Sequence, residues 1–361
     1  MRIILINLDG LGDIPYSELG NKTPLEAANK PTLDYLASKG KTGLMYVLDG
    51  IAPESDFAMF SMFGYPINKY PGRGIIEALG SNLKINKDYL YLRGNFAKIE
   101  KSYLLEAQSE PPSKEILKKL NQINKDISII PTVGHRCIVM IKKKVSAKIS
   151  NMHPGYRNVK NYSTAVPRNK RLRLKRCTGD KTTSNILNNF IKEAEKLMEN
   201  KTILLRGASN KVPKLKKLKN WIILAETPVE YGIGKLTGMK AIKKTNPIKQ
   251  AIESKANVYL QLKGPDIYSH KGLPRLKKQE IEKIDSFLSP LKNVKNTLIC
   301  ITADHSSVCK IKTHSKDPVP VLIYGKGKDK IATFSEKACN SGSLGLFQAK
   351  NLLKLLKWNS S

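Results

Sequence analysis

The sequence predicts an α/β protein, a mostly parallel, doubly wound sheet with a smaller inserted α+β lid domain. Short apolar, β-branched runs alternate with amphipathic helical stretches, the pattern of a parallel sheet covered by helices. Several of those runs end on or beside Asp or His. The middle of the chain breaks the alternation with shorter runs and loops rich in Lys and Asn.

Taken in order, residues 3–8 are a continuous branched-aliphatic run and read as a buried strand. Thr23 caps a helix that opens on Pro24, a residue suited to the first helical position. A second helix starts at residues 30–37 and is closed by Gly40, and 42–48 read as a strand. Residues 55–63 predict a short helix that Ser55 or Asp56 would cap. Further on, 221–224, 258–262, 298–302 and 319–324 are strand candidates. Residues 278–291 place Ile281, Ile284, Leu288 and Leu291 at helical spacing, and 344–358 read as the last helix. In the middle, 89–92, 136–141 and 203–205 are short strands and 184–198 a long helix. Residues 1–85 with 218–361 are therefore expected to form the core, and 86–217 an inserted domain that closes over the site.

Composition narrows the class. A chain of 361 residues can bury a sizeable core. No apolar run approaches the roughly 20 residues that cross a bilayer, and residues 1–8 lack a signal-peptide pattern. Five scattered cysteines without a CxxC fit a reducing, cytoplasmic setting. The formal charge of +33 admits a nucleic-acid partner or a lysine-coated surface. The lysines are spread along the chain and the 7% of aromatic residues do not interleave with them as stacking platforms would, so nucleic acid is disfavoured. Residues 168–176 are a sharper basic segment, either an RNA contact or an exposed loop or edge strand. A positive field also favours a small anionic substrate. Oligomeric state stays open, a homo-oligomer included.

The chemistry is expected where acids and imidazoles meet strand ends. Of five His, three fall from residue 270 onward, in Asp266-Ile-Tyr-Ser-His270, Asp304-His305 and Thr-His314-Ser. Asp9 ends the first apolar run. Ligands of α/β sheets gather beyond the carboxyl ends of the strands. Carboxylate with imidazole suits Mn²⁺, Zn²⁺, Fe²⁺ or Co²⁺, and two such cations can hold both oxygens of an in-line phosphoryl displacement. Ser55 is then a candidate nucleophile at a helix N-terminus, where an anion is favoured; by itself it reads equally well as a helix cap.

Asp9-Gly-Leu-Gly-Asp, Lys22-Thr-Pro-Leu-Glu-Ala-Ala, Ser55-Asp, Phe63-Gly-Tyr, Gly72-Arg-Gly with Glu77-Ala-Leu-Gly, Asn95-Phe-Ala, Gly134-His-Arg, Arg206-Gly-Ala, Asp266…His270, Ala303-Asp-His-Ser and His314-Ser-Lys-Asp-Pro-Val-Pro occur in that order. In these the chain resembles the archaeal-type cofactor-independent phosphoglycerate mutases of the alkaline phosphatase superfamily, nearly end to end. The resemblance implies an alkaline phosphatase-like core and two divalent cations, Mn²⁺ first, with Co²⁺, Zn²⁺ or Fe²⁺ as alternatives. It implies Asp9, Ser55, Asp304 and His305 around one cation and Asp266, His270 and His314 around the other. It implies transfer of a phosphoryl group between the 3- and 2-hydroxyls of glycerate through a phosphoserine at Ser55. His135 is the expected acid/base. Arg93, Asn95, Arg136, His153 and Arg206 are the expected substrate contacts, because guanidinium forks suit carboxylate and phosphate.

The chain also departs from the family pattern. Glu54 and Met59 stand where Gly and His are usual, Ser306-Ser-Val replaces Ser-Thr-Pro, and Ser209 follows Arg206-Gly-Ala in place of Gly. Asn151-Met152 stands where acids are usual, so His153 matches its motif incompletely. None of these removes an expected cation ligand. Two other functions are weighed against the mutase. One is a metal-dependent phosphatase or another phosphomutase of the superfamily, which would share the same site. The other is a basic nucleic-acid-binding protein on a vestigial enzyme fold, which would have no reason to keep seven ligands.

Overall fold

The computed structural model describes residues 1–48, 50–159, 162–167 and 171–360, which form two compact units. The first comprises Met1–Ile67, Lys217–Glu226 and Gly238–Ser361. Its eight-stranded sheet runs in the order Lys240–Lys243, Trp221–Ala225, Asn257–Leu262, Arg2–Leu8, Thr297–Thr302, Val319–Tyr324, Gly40–Tyr46, Gly345–Gln348. The first five strands are mutually parallel; Val319–Tyr324 is antiparallel to both its neighbours. The continuous apolar runs are explained by position. Ile4, Leu5, Ile6, Val258, Leu260, Ile299 and Ile301 are all fully buried in the central three strands, as expected of a parallel sheet enclosed on both faces.

The second unit comprises Asn68–Lys216 and Thr227–Thr237. Its sheet is antiparallel: Leu90–Glu100 pairs with Arg136–Ile141, Lys201–Ser209 and Tyr103–Glu106, and Ile127–Pro131 pairs with Arg136–Ile141. Strand alternation sorts its side chains. Leu90, Leu92, Phe96, Cys137 and Val139 join a core with Leu187 and Phe190 of the Lys181–Leu197 helix. The opposite parity puts Tyr91 and Ile138 against Ile75 and Ala78 of the Arg73–Gly80 helix. Arg93, Asn95 and Arg136 share that second parity.

Several expectations shift. Residues 68–85 and 227–237, read from sequence as core, pack in the second unit. The reason is a close crossing of Arg73–Gly80 on Pro228–Thr237, in which a Cβ on Gly80 would meet the Pro228 carbonyl and one on Gly232 the Ile76 carbonyl. Only glycine permits that approach. Residues 344–358 are not one helix: Gly345–Gln348 is a strand beside Gly40–Tyr46, and the helix is Leu352–Ser360. Gly345 at φ 62° interrupts the helical path. The helix expected over 278–291 is Pro274–Phe287 followed by a 3₁₀ turn, Ser289–Asn293. In the basic segment, 168–170 lie outside the described residues; Arg171 pairs with Glu100 and lies 4.7 Å from the Tyr103 ring centroid, and Arg176 bonds Glu195 at 2.7 Å. Among the described residues no helix is long and apolar enough to cross a membrane.

Candidate functional site

The first unit gathers acids and imidazoles at the carboxyl edge of its central strands. Asp9 follows the Arg2–Leu8 strand, Asp304 and His305 follow Thr297–Thr302, and Asp266 and His270 lie one turn apart on the Gly264–Lys271 helix after Asn257–Leu262. His314 comes from the strand Thr313–Ser315 and pairs with Ser307 across a short hairpin. Gly10 has φ +65°, and a Cβ there would lie 2.6 Å from Ser307 Oγ and 2.9 Å from Asp266 Oδ1, so this turn requires glycine. Ser55 is the first residue of the Ser55–Met62 helix; Glu54, not Ser55 or Asp56, holds the cap position, without a side-chain cap bond. The Ser55 hydroxyl lies 3.4 Å from His305 Nε2.

The three imidazoles are oriented alike. His270 Nδ1 donates to Lys312 O at 2.9 Å, His314 Nδ1 to Pro53 O at 2.7 Å, and His305 Nδ1 to Ser307 Oγ at 3.1 Å, while Ser307 donates to Asp266 Oδ1 at 2.6 Å. Each ring therefore turns Nε2 toward carboxylate. His305 Nε2 is 3.3 Å from Asp9 and 3.4 Å from Asp304; His270 and His314 are 3.3 and 3.6 Å from Asp266. Nε2 atoms set among carboxylates can exchange a proton for a shared cation, and oxygen acceptors on the outer nitrogens are the usual support of metal-ligating histidines.

The electrostatics agree. Burial, with repulsion from Asp304 and Asp266, raises Asp9 to about 7. Burial alone would lower His305, but Asp304, Asp9 and Asp266 reverse this and push it up to about 10. Asp9 Oδ1 is buried and faces His305 Nε2 at 3.3 Å. Two groups have ligand atoms close enough to share an ion: Asp9, Asp304 and His305, and Asp266, His305 and His314. The donor set fits divalent cations, with His305 common to both groups.

The second unit holds a buried cluster of opposite sign. Glu77 Oε1 accepts from Arg73 Nε at 2.9 Å and Arg93 Nη1 at 2.5 Å; Arg93 Nε donates to Asn95 Oδ1 at 2.9 Å. Asn95 lies opposite Arg136, and Arg93 opposite Arg206, in the sheet register. Burial would raise Glu77, but Arg93, Arg73 and Arg136 hold it far below the usual carboxylate range. Burial lowers Arg93 to about 9, against the pull of Glu77. Burial, then Arg93 and Arg136, lower His135 to about 4 and keep it neutral at pH 7. The Arg206 guanidinium lies 4.1 Å over the Tyr156 ring, and His153 meets that ring edge-on at 4.7 Å. Asn151 Oδ1 accepts from Gly207 N at 3.1 Å, next to Arg206. Arg136 also feels Glu230, so the four guanidiniums of Arg73, Arg93, Arg136 and Arg206 stand against Glu77 and Glu230 and leave surplus positive charge, which suits an anion. A larger cavity of about 820 Å³ in this unit carries three lysines among its twenty lining residues, no richer in cations than the chain as a whole.

The sequence-predicted residues thus fall into two groups. Asp9, Ser55, Asp266, His270, Asp304, His305 and His314 come together in the first unit; Arg93, Asn95, Arg136, Arg206 and His135 in the second, with His153 reaching the group through Tyr156. Sequence reasoning gave no role to Gln261, whose amide donates to Asp9 at 2.8 Å and Asp304 at 3.3 Å. A lone amide inside an apolar strand was its only signal. Nor did it single out Lys277, whose fully buried ammonium bonds Asp13, Gly12 O and Ser307 O. Glu77 and Arg73 stood in a quoted motif without a role.

Similarity to known proteins extends over nearly the whole chain. Residues 37–203 match the family model described as 2,3-bisphosphoglycerate-independent phosphoglycerate mutase. A solved Pyrococcus horikoshii protein is 26% identical, with TM-score 0.80 over 99% of this chain and 97% of that one. The cofactor-independent phosphoglycerate mutase of Thermoplasma acidophilum is 26% identical, with TM-score 0.60 and full coverage of both chains. The Methanocaldococcus jannaschii protein named 2,3-bisphosphoglycerate-independent phosphoglycerate mutase 2 is 32% identical over 99% of this chain and 92% of its own length. The chain belongs to the 2,3-bisphosphoglycerate-independent phosphoglycerate mutase family.

Proposed function

We infer that this chain interconverts 3-phosphoglycerate and 2-phosphoglycerate through a phosphoserine at Ser55, beside a site for two divalent cations, Mn²⁺ first among Mn²⁺, Co²⁺, Zn²⁺ and Fe²⁺. The observation that carries this reading is the Ser55 hydroxyl 3.4 Å from His305 Nε2, within the Asp9, Asp304 and His305 group. Asp9, Ser55, Asp304 and His305 would hold one cation, and Asp266, His270 and His314 the other, with His305 in reach of both. Bound there, the cations would favour the ionised hydroxyl and offset charge on the phosphoryl oxygens.

Ser55 Oγ forms a bond to phosphorus as the bond to the glycerate 3-oxygen breaks, and that oxygen takes a proton. The glycerate 2-hydroxyl then gives up a proton, takes the phosphoryl group and frees Ser55. His135, neutral at pH 7, has a ring nitrogen free of a proton to accept it. Arg93, Arg136 and Arg206, with Asn95 and His153, would bind the substrate carboxylate and phosphate. Five buried free cysteines fit a cytoplasmic enzyme.

Ser55→Ala tests the reading. It should lower turnover of 3-phosphoglycerate by at least about a thousandfold. Stability should change by no more than about 0.5 kcal/mol, since Ser55 is not the cap. Residual turnover near that of the parent would remove Ser55 from its role. Assaying the parent for 2-phosphoglycerate against free phosphate separates a mutase from a phosphatase.

A further inference from the structure

We propose that Glu54 is a positioning residue for the cation site, its carboxylate strengthening the hold of the aspartate–histidine cluster on divalent cations. The inference rests on the cation-site reading above. Glu54 immediately precedes Ser55, and its side chain is only 8% exposed. Burying a carboxylate is costly unless something nearby compensates it. Its Oε1 lies 3.9 Å from His314 Nδ1, the nitrogen that already donates to Pro53 O at 2.7 Å. The opposite nitrogen, Nε2, faces Asp266 Oδ1 at 3.6 Å. Glu54 thus stands on the side of the ring away from the cluster; Pro53 O holds the ring by the hydrogen bond, and the Glu54 charge, at 3.9 Å, raises the basicity of the imidazole through space. Such outer partners change metal affinity without touching the metal.

Charge adds to geometry. Asp9, Asp266 and Asp304 are three carboxylates for two dications, and Glu54 is a fourth. Asp9, Asp304, His305 and His314 are buried, so the Glu54 field is screened there less than at a surface. The same field opposes an arriving phosphoryl anion, so Glu54 favours cation retention over substrate attraction.

A simpler role is also open to a carboxylate at a helix N-terminus, which is favoured there by the helix dipole. The two roles separate experimentally. A helix-end charge contributes to the stability of the metal-free protein and leaves cation affinity alone. A positioning carboxylate changes cation affinity.

The experiment titrates Mn²⁺ alone, by calorimetry, into chelator-stripped full-length parent, Glu54→Gln and Glu54→Asp, with metal-free melting recorded for each. Glu54→Gln keeps the shape and removes the charge. It should weaken Mn²⁺ binding about tenfold, while Glu54→Asp keeps most of the parent affinity. An unchanged Mn²⁺ affinity in Glu54→Gln, whatever happens to melting, overturns the proposal. Equal losses in both variants make the effect one of packing and overturn it too. A parent that binds no Mn²⁺ fails earlier, at the cation site itself, and is distinguishable from either result.

Discussion

The two units each bury a charged cluster, but they build it by opposite means. In the first, the ligands come from stretches far apart in the chain: the parallel strands before Asp9, Asp266 and Asp304 end at one edge, and a helix start adds Ser55 and a short hairpin His314. In the second, period-two alternation along antiparallel strands lines up Arg93, Asn95 and Arg136 on one face, and a helix brings Glu77 to them. The first cluster has surplus negative charge and draws a cation. The second has surplus positive charge and draws an anion. What differs is internal compensation: Glu77 binds two guanidiniums directly, whereas Asp9, Asp266 and Asp304 are met mainly by imidazoles and the Gln261 amide.

Breaking that compensation should have the largest effect. Glu77→Gln leaves Arg73 and Arg93 buried without their shared carboxylate. Losing one partner of a buried ion pair costs about 3–5 kcal/mol, read as a shift in denaturant midpoint. If the surplus charge is what binds substrate, 3-phosphoglycerate should restore part of the lost stability. A loss under about 1 kcal/mol would show that the guanidiniums are solvated and the cluster is no anion site.

Stripping divalent cations should act on the first cluster and be somewhat milder. Cation at a hundredfold excess over Kd stabilises the folded state by about 2.7 kcal/mol. The melting temperature should therefore fall on chelation and recover with Mn²⁺. Ser55→Ala should keep most of this response, because the acids and imidazoles remain. A melting temperature indifferent to chelator would sink the comparison, since the two clusters would then differ only in sign.

The same contrast explains what could be read from the sequence. Five His among 361 residues stand out, so Asp266…His270, Asp304-His305 and His314 were legible. The apolar runs that carry them were legible too, because strands covered on both faces are apolar throughout. Arginines among 63 basic residues do not stand out. Arg93, Arg136 and Arg206 were found through the motifs around them, and Glu77, which organises Arg73 and Arg93, was passed over as one more helical acid. Gln261 and Lys277 act through tertiary contacts that no local pattern announces. The unit boundary was misread for a like reason: Gly80 and Gly232 matter only because two helices distant in sequence cross there. Gly345 was missed because a hydrophobic run containing one glycine fits either a helix or a short strand.

The smallest predicted effect comes from His135 and tests whether the second cluster is as positive as it looks. Burial, Arg93 and Arg136 lower this imidazole to about 4 in the folded protein, against about 6.5 in the unfolded chain. Between those values the unfolded chain binds more protons than the folded one. Stability must therefore rise with pH there, and be lost as pH falls from about 6.5 through about 4. His135→Gln should flatten that part of the stability–pH curve and leave the slope above pH 7 unchanged. Because His135 is half-buried, the change is a modest part of the whole acid response. Glu77→Gln should steepen the contribution, since removing the Glu77 carboxylate lowers His135 further. If His135→Gln leaves the curve between pH 4 and 6.5 unaltered, the imidazole does not feel the arginines, and the second cluster lacks the surplus charge that sets it against the first.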